Sequence, residues 1–217
     1  MRTSKRRFLC RGVLCLLLLL ALLSSLVGCG LIPPKMDELY DRVVELVEGS
    51  KELNTVFYGA GLPVYARNSE YAELNHIYFQ HPQPGYETVS PYAKFLTVAD
   101  IQAAAEKIYS RAYLEEVLYV SAFTGHAFSD GAEGAVVAGA TYLEDTAWIY
   151  RSETAERYPV EMRVYDYSTM RITRPSNRKA VYVTLDAYPE AGGEAEEVRL
   201  RLVKQEDGRW YLDSFTG

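Results

Sequence analysis

The sequence predicts an α+β fold in which N-terminal helices pack on one face of a curved antiparallel sheet. Apolar residues recur at helical spacing in the segments before residue 125, and at every second position in those from residue 136 onward. An Asp207-Gly208 pair separates the last two alternating segments, and glycine supplies the positive φ of a tight hairpin turn. Helices followed by a run of strands favour one α+β domain over residues 36–217.

The first helix is predicted over residues 36–53. Its apolar residues share one face, and Asp37 and Glu38 fall in the first turn, where the helix dipole favours acidic side chains. Gly49-Ser50 indicates its end.

Two further helix starts follow. Thr97 is predicted to be an N-cap with Asp100 as the acidic partner of a capping box. Another helix is predicted to begin at Ser110 or Arg111, and residues 125–134 are predicted to form a loop.

Residues 57–63 contain helix breakers, and residues 64–95 are tyrosine-rich and irregular, with short strands expected near 74–80 and 86–89. After the loop, Val, Leu, Met and Ile are expected to face inward from the later strands, as Val164 and Val183 do in their alternating segments. Strands are predicted at residues 136–143, 147–151, 160–166, 169–174, 179–187, 196–205 and 209–215.

The N-terminus has the pattern of a signal peptide over residues 1–28, with five basic residues followed by a short Leu-rich segment. Leu26-Val27-Gly28-Cys29 resembles the lipobox of bacterial lipoproteins. The resemblance implies that signal peptidase II recognises Leu26, Val27 and Gly28, and that Cys29 carries the lipid. Residues 29–35 then form a short tether with Pro33-Pro34, on the extracytoplasmic face of the cell membrane. The alternative is an ordinary secretory signal or uncleaved anchor in which Cys29 is incidental.

The charge is unevenly distributed. Residues 29–217 contain 18 basic and 29 acidic residues, a net charge of −11. Such a domain is a poor partner for nucleic acid, because phosphates would be repelled. We also expect its net charge to keep it from lying flat on anionic lipid.

The C-terminal segment 198–217, with Asp207-Gly208 and Trp210-Tyr211-Leu212-Asp213, resembles the closing hairpin of NTF2-like, cone-shaped (cystatin-like) domains. The order of the Thr97 helix, the break at Tyr109-Ser110, a second helix and the sheet resembles lipoproteins of the DL-endopeptidase inhibitor family of Gram-positive bacteria. That resemblance implies a domain that restrains a cell-wall hydrolase.

The sequence predicts neither a metal site nor an enzyme. His76 and His81 are spaced so that they do not share a strand face, and no cysteine follows Cys29. His126, Ser129 and Asp130 are crowded into one segment, where a catalytic triad seldom forms. We therefore expect no cofactor.

Eighteen tyrosines against seven phenylalanines suggest a partner-facing or glycan-facing surface, with Tyr78 and Tyr86 as the selected candidates for binding a partner. The alternative is that these rings complete the core. The tyrosine-rich segment also holds Tyr65, Tyr71 and Tyr92. The function predicted is that of a membrane-anchored, non-catalytic protein-binding lipoprotein whose partner is an envelope protein such as a peptidoglycan endopeptidase. The alternative is a cone domain that binds a small ligand or acts as an enzyme.

Overall fold

The structure combines helices with antiparallel sheets. The computed structural model describes residues 32–64, 85–129, 135–145, 148–153, 163–190 and 192–216. Its helices are α1 (Met36–Phe57), α2 (Val98–Ala105) and α3 (Arg111–Tyr113), and two π-helical segments, Leu114–Leu118 and Val120–Thr124, follow α3. Its strands are β1 (Tyr86–Thr88), β2 (His126–Ser129), β3 (Ala135–Ala138), β4 (Tyr142–Glu144), β5 (Ile149–Ser152), β6 (Arg163–Thr173), β7 (Ala180–Pro189), β8 (Glu196–Lys204) and β9 (Trp210–Leu212). The predicted α+β class is confirmed at this level.

Helix α1 places one apolar face in the core, as its periodicity predicts. Its fully buried aliphatic residues are Leu39, Val43, Leu46 and Val47. The helix continues four residues beyond the predicted end at residue 53. Gly49 does not end the helix and instead allows a close approach, since a Cβ there would lie 2.4 Å from Cδ1 of Ile108.

The predicted starts of the next two helices, and the predicted capping box at Thr97, are confirmed. Thr97 accepts a hydrogen bond from the backbone N–H of Asp100, and the Asp100 carboxylate accepts one from the N–H of Thr97. The Ser110 hydroxyl accepts a hydrogen bond from the N–H of Tyr113 at 3.1 Å. The chain then continues as π-helix to Thr124, and Gly125, with φ +82°, ends it.

The strands form three open antiparallel sheets in the described part of the chain, with the orders β1-β5-β4, β2-β3 and β6-β7-β8-β9. In the largest sheet, Val181, Val183 and Leu185 of β7 are fully buried, as their alternation predicts. The Asp207-Gly208 hairpin joins β8 to β9, and Gly208 has φ +79°. This arrangement does not confirm the cone shape.

Strand β6 corrects two expectations. The strands predicted at 160–166 and 169–174 are one strand from Arg163, interrupted by a bulge between Asp166 and Arg171. Val164, expected to face inward, is exposed, whereas its neighbour Tyr165 is buried. The Tyr165 hydroxyl donates to the carbonyl of Thr216, and this interior partner explains why the polar ring faces the core.

The region predicted to be a loop contains a strand. β2 lies within residues 125–134 and pairs with β3 from His126–Ala138 to Ser129–Ala135. The single strand predicted over 136–143 is instead divided between β3 and β4, which belong to different sheets. Gly139 lies between them, at a point where a Cβ would meet the Tyr86 hydroxyl at 2.5 Å.

The last strand is shorter than the predicted 209–215. β9 ends at Leu212, although Asp213 still donates its N–H to the carbonyl of Arg201 at 2.8 Å. Beyond it the chain reaches α1, where the Thr216 side chain is buried. The C-terminal segment is therefore part of the core, because it supplies polar groups that the interior of the domain requires.

Candidate partner-binding surface

The most exposed aromatic residue among the large hydrophobic side chains of the described chain is Tyr92, on the loop between β1 and α2. Its side chain is 92% exposed, and that of Leu96 is 49% exposed. Val89, Ala93 and Phe95 in the same segment are buried. We call residues 89–97 the Tyr92 loop. It presents two hydrophobic side chains to solvent while three neighbours fix it to the core.

Backbone hydrogen bonds hold the start of the Tyr92 loop. Val89 donates its N–H to the carbonyl of Ile149 at 3.0 Å, and Ser90 donates to the carbonyl of Pro63 at 2.8 Å. The loop then closes on itself, since Ala93 donates to the Ser90 carbonyl at 2.9 Å. The position of Tyr92 is thus set by contacts with two separate parts of the chain.

The capping box holds the end of the loop. The Asp100 carboxylate accepts hydrogen bonds from the N–H groups of Thr97 at 3.1 Å and Leu96 at 3.4 Å. Lys94 forms an ion pair with Glu52 of α1. A large amphipathic ring on a backbone ordered in advance loses little entropy on binding, which is the property of residues that dominate protein interfaces.

The structure places one of the two predicted partner-binding tyrosines in the core. Tyr86 is 9% exposed and donates its hydroxyl to the carbonyl of Ala140 at 2.7 Å. Burial raises the pKa of its phenol. Its geometry fits the alternative that these rings complete the core, and it leaves Tyr86 little surface for a partner.

The remaining predicted site residues have no described environment. Tyr78 and the other tyrosines of 65–84, His76, His81 and Asp130 lie outside the described residues. The same is true of Leu26, Val27, Gly28 and Cys29. His126 and Ser129 are the two ends of β2. The predictions for these residues therefore stay predictions.

Sequence reasoning placed Tyr92 in the tyrosine-rich segment but did not select it. The signal that would have found it is local. Pro91 interrupts the backbone pairing, and the next residues alternate between buried Ala93 and Phe95 and exposed Lys94 and Leu96. In that pattern Tyr92 falls on the exposed side.

A buried polar network lies between α1 and the C-terminal segment. Asn54 donates its side-chain N–H to the Thr216 hydroxyl at 2.7 Å, and the Thr216 and Ser50 hydroxyls lie 2.6 Å apart. Ser50 donates to the carbonyl of Val47 at 2.7 Å, so Thr216 donates to Ser50. Tyr109 donates to the Asn54 side-chain oxygen at 2.7 Å. The network is satisfied by the chain itself.

Several tyrosines around this network are held in the neutral form. Burial raises the pKa of Tyr109 well above its ordinary value of 10.0, and burial together with the Tyr58 hydroxyl 2.8 Å away raises that of Tyr113. A neutral phenol donates one hydrogen bond and accepts others. These rings therefore act as hydrogen-bonding groups of the core.

The described ranges hold no cluster of three His, Cys, Asp or Glu side chains placed to bind a metal ion. Within the same ranges, no helix has the length and hydrophobicity needed to span a bilayer. Comparison with known proteins finds no match to a family model, to a curated protein or to a solved structure.

Proposed function

We propose that this protein is a lipoprotein, anchored through Cys29 on the extracytoplasmic face of the membrane, whose domain binds another envelope protein through the Tyr92 loop. The observation that carries the binding proposal is the 92% exposure of Tyr92 on a loop with hydrogen bonds at both ends. An isolated exposed ring on a mobile loop would need no explanation, whereas a fixed one is suited to fill a pocket on a partner.

The interior of the domain also favours recognition at the surface. The space between α1 and the sheet is occupied by the chain's own Thr216, which bonds to Ser50 and Asn54 of α1. A small ligand in that space would have to displace these buried contacts. The NTF2-like cone itself is part of this proposal, supported by the order of helices followed by the meander β6–β9.

We propose a peptidoglycan endopeptidase as the partner, restrained when the domain binds it. The support is the resemblance in element order to the DL-endopeptidase inhibitor family, together with an anchor that would keep the domain near enzymes of the cell envelope. A rigid, protruding aromatic group suits an inhibitor of this kind, because such groups bind with little loss of entropy.

The test is a titration of purified peptidoglycan endopeptidases from the host cell with the mature protein, measured as binding and as loss of peptidoglycan cleavage. We expect Tyr92→Ser to weaken Kd about thirtyfold, the effect of losing about 2 kcal/mol at an interface hot spot. Tyr188→Ser is the matched control, because Tyr188 is a partly exposed tyrosine (40%) on strand β7.

Inhibition that Tyr92→Ser abolishes and Tyr188→Ser preserves would support the proposal. Equal effects of the two substitutions would reject the Tyr92 loop as the contact. Absence of binding to every endopeptidase tested, by a protein that melts cooperatively, would reject the hydrolase as the partner.

A further inference from the structure

The four-stranded sheet has a basic end. The β6–β7 turn and the β8–β9 turn lie at the same end of the antiparallel strands, and Lys204 donates its N–H to the carbonyl of Lys179 at 2.7 Å. Arg178 and Lys35 are near them and also exposed. We call Lys35, Arg178, Lys179 and Lys204 the basic end. Among the described residues, its three lysines form no ion pair.

An open groove of about 680 Å³ joins the basic end to the segment that leads from Cys29. One wall is formed by residues 32–35, and the other by the ends of the sheet at Arg178, Lys204 and Trp210. Glu38 is the one carboxylate among the described residues that line it. Ile32 at its edge is 71% exposed. Cations and an exposed aliphatic side chain therefore surround the chain where it leaves the domain.

The two turns at the basic end, residues 174–179 and 204–209, contain five basic residues and two acidic ones, Glu206 and Asp207, a net charge of +3. The acidic residues around the β7–β8 turn lie at the opposite end of the sheet, and they are Glu190, Glu194, Glu196 and Glu197. Strand β7 has ten residues and therefore separates the two ends by about 30 Å. This separation exceeds the Debye length of about 8 Å at physiological salt, so a surface at the basic end is screened from these carboxylates.

The tether is short enough to bring the basic end to the membrane. If Cys29 carries the lipid, as proposed above, three peptide bonds join it to Ile32 and span at most about 11 Å. The groove is then held close to the headgroups, where each Lys or Arg near an anionic surface contributes about 1 kcal/mol. The net charge of −11 does not predict how the domain interacts with the membrane, because only charges within about a Debye length of the membrane surface interact with that surface.

We propose that the basic end docks on anionic phospholipid headgroups, with the strands standing away from the membrane and Ile32 at the interface. This inference rests on the proposed lipidation of Cys29, and it adds how the domain is oriented relative to the membrane. It refines the expectation of repulsion: the domain does not lie flat, and its contact with lipid is end-on.

The test uses the mature lipidated protein, residues 29–217, in nanodiscs of phosphatidylcholine, with or without phosphatidylglycerol. Backbone amide exchange in the turns 174–179 and 205–209 reports docking. We expect slower exchange only with phosphatidylglycerol, and its reversal at high salt. Lys179→Gln combined with Lys204→Gln should lower the docked-to-undocked ratio about thirtyfold, as two lysines at about fivefold each. Lys51→Gln with Arg163→Gln is the control, with the same change in net charge away from the basic end, because Arg163 pairs with Pro189 at the opposite end of the sheet and Lys51 lies over the Tyr165 ring.

The two proposals fail in distinguishable ways. A protein without acyl chains by mass spectrometry, which does not enter nanodiscs, would overturn the anchor. An acylated protein whose turns exchange equally fast in both lipids would overturn docking and leave the anchor standing. Amide exchange in the two turns that is slowed equally in both lipids would also overturn docking at the basic end. The same holds if the two double variants reduce the slowing of exchange equally.

Discussion

Thr216 is the residue that connects the C-terminus to the first helix. Its hydroxyl accepts from Asn54 and donates to Ser50, and its carbonyl accepts from Tyr165. All of these side chains are buried. A buried donor or acceptor that loses its partner costs about 1–3 kcal/mol, so the last residues of the chain influence stability more than their position suggests.

We expect Thr216→Val to lower the free energy of unfolding by about 2–3 kcal/mol, because it keeps the shape but leaves Asn54 and Ser50 without their partner. Urea denaturation measures it, with an unchanged m-value as evidence that the denatured state is the same. Thr216→Ser retains the hydroxyl and should cost about 1 kcal/mol, the loss of one methyl group. Equal costs for the two substitutions would contradict the assigned hydrogen bonds.

At the scale of elements, the hydrogen bonds of the capping box join the Tyr92 loop to α2. The Thr97 side chain satisfies the N–H of Asp100, and the Asp100 carboxylate satisfies the N–H of Thr97. The box is local, since all its atoms come from four consecutive residues. It could therefore be predicted from sequence, and its consequence is that the loop and the helix are ordered together.

Thr97→Ala should destabilise the protein by about 1 kcal/mol, because an N–H at the first turn of α2 loses its acceptor. Thr97→Ser should remain within about 0.5 kcal/mol of the natural protein, since serine is an equally good N-cap. Thermal unfolding of the three proteins measures the difference. If alanine and serine behaved alike, the cap would have no energetic role.

At the scale of the whole molecule, buried and partly buried tyrosines link stability to pH in alkaline solution. Burial raises the pKa of the phenols of Tyr58, Tyr109, Tyr113, Tyr119, Tyr165 and Tyr167 above their ordinary value. In the unfolded chain these groups lose their protons near pH 10. In the folded protein they keep them to higher pH.

The sign of the effect follows from this order of deprotonation. Stability from these tyrosines is fully present below pH 10 and falls as pH rises above it, by about 1.4 kcal/mol per pH unit for each phenol still protonated in the folded state. We expect a cooperative alkaline unfolding in which the tyrosinate absorbance of these six side chains appears with loss of circular dichroism. Titration of all eighteen tyrosines near pH 10 in a fully folded protein would contradict it, and the same titration in denaturant supplies the reference.

Predictions from sequence succeeded for patterns that are local. The buried face of α1, the capping box at Thr97 and the Gly208 turn depend on residues within one or two turns of chain, whose spacing and φ preferences are visible in sequence. The α+β class followed from the change of periodicity alone. The proposed anchor at Cys29 also rests on a local pattern.

The errors came from contacts between residues far apart in the chain. Tyr165 faces inward because Thr216, 51 residues away, accepts its hydroxyl, and this reverses the orientation that alternation predicts. Gly49 and Gly139 are close-approach positions whose neighbours, Ile108 and Tyr86, are distant in sequence. Tyr86 belongs to the core for the same kind of reason, since its partner is the carbonyl of Ala140.

By itself, the sequence determined the fold class, the helix start at Thr97, the tight turn at Gly208 and the overall acidic charge, because each is a property of nearby residues or of a sum over the chain. Only the tertiary structure decided that Tyr86 is buried, and that cations from three segments meet beside the tether. The burial of a side chain and the clustering of charges depend on how distant segments pack against one another. That packing cannot be inferred from the spacing of neighbouring residues.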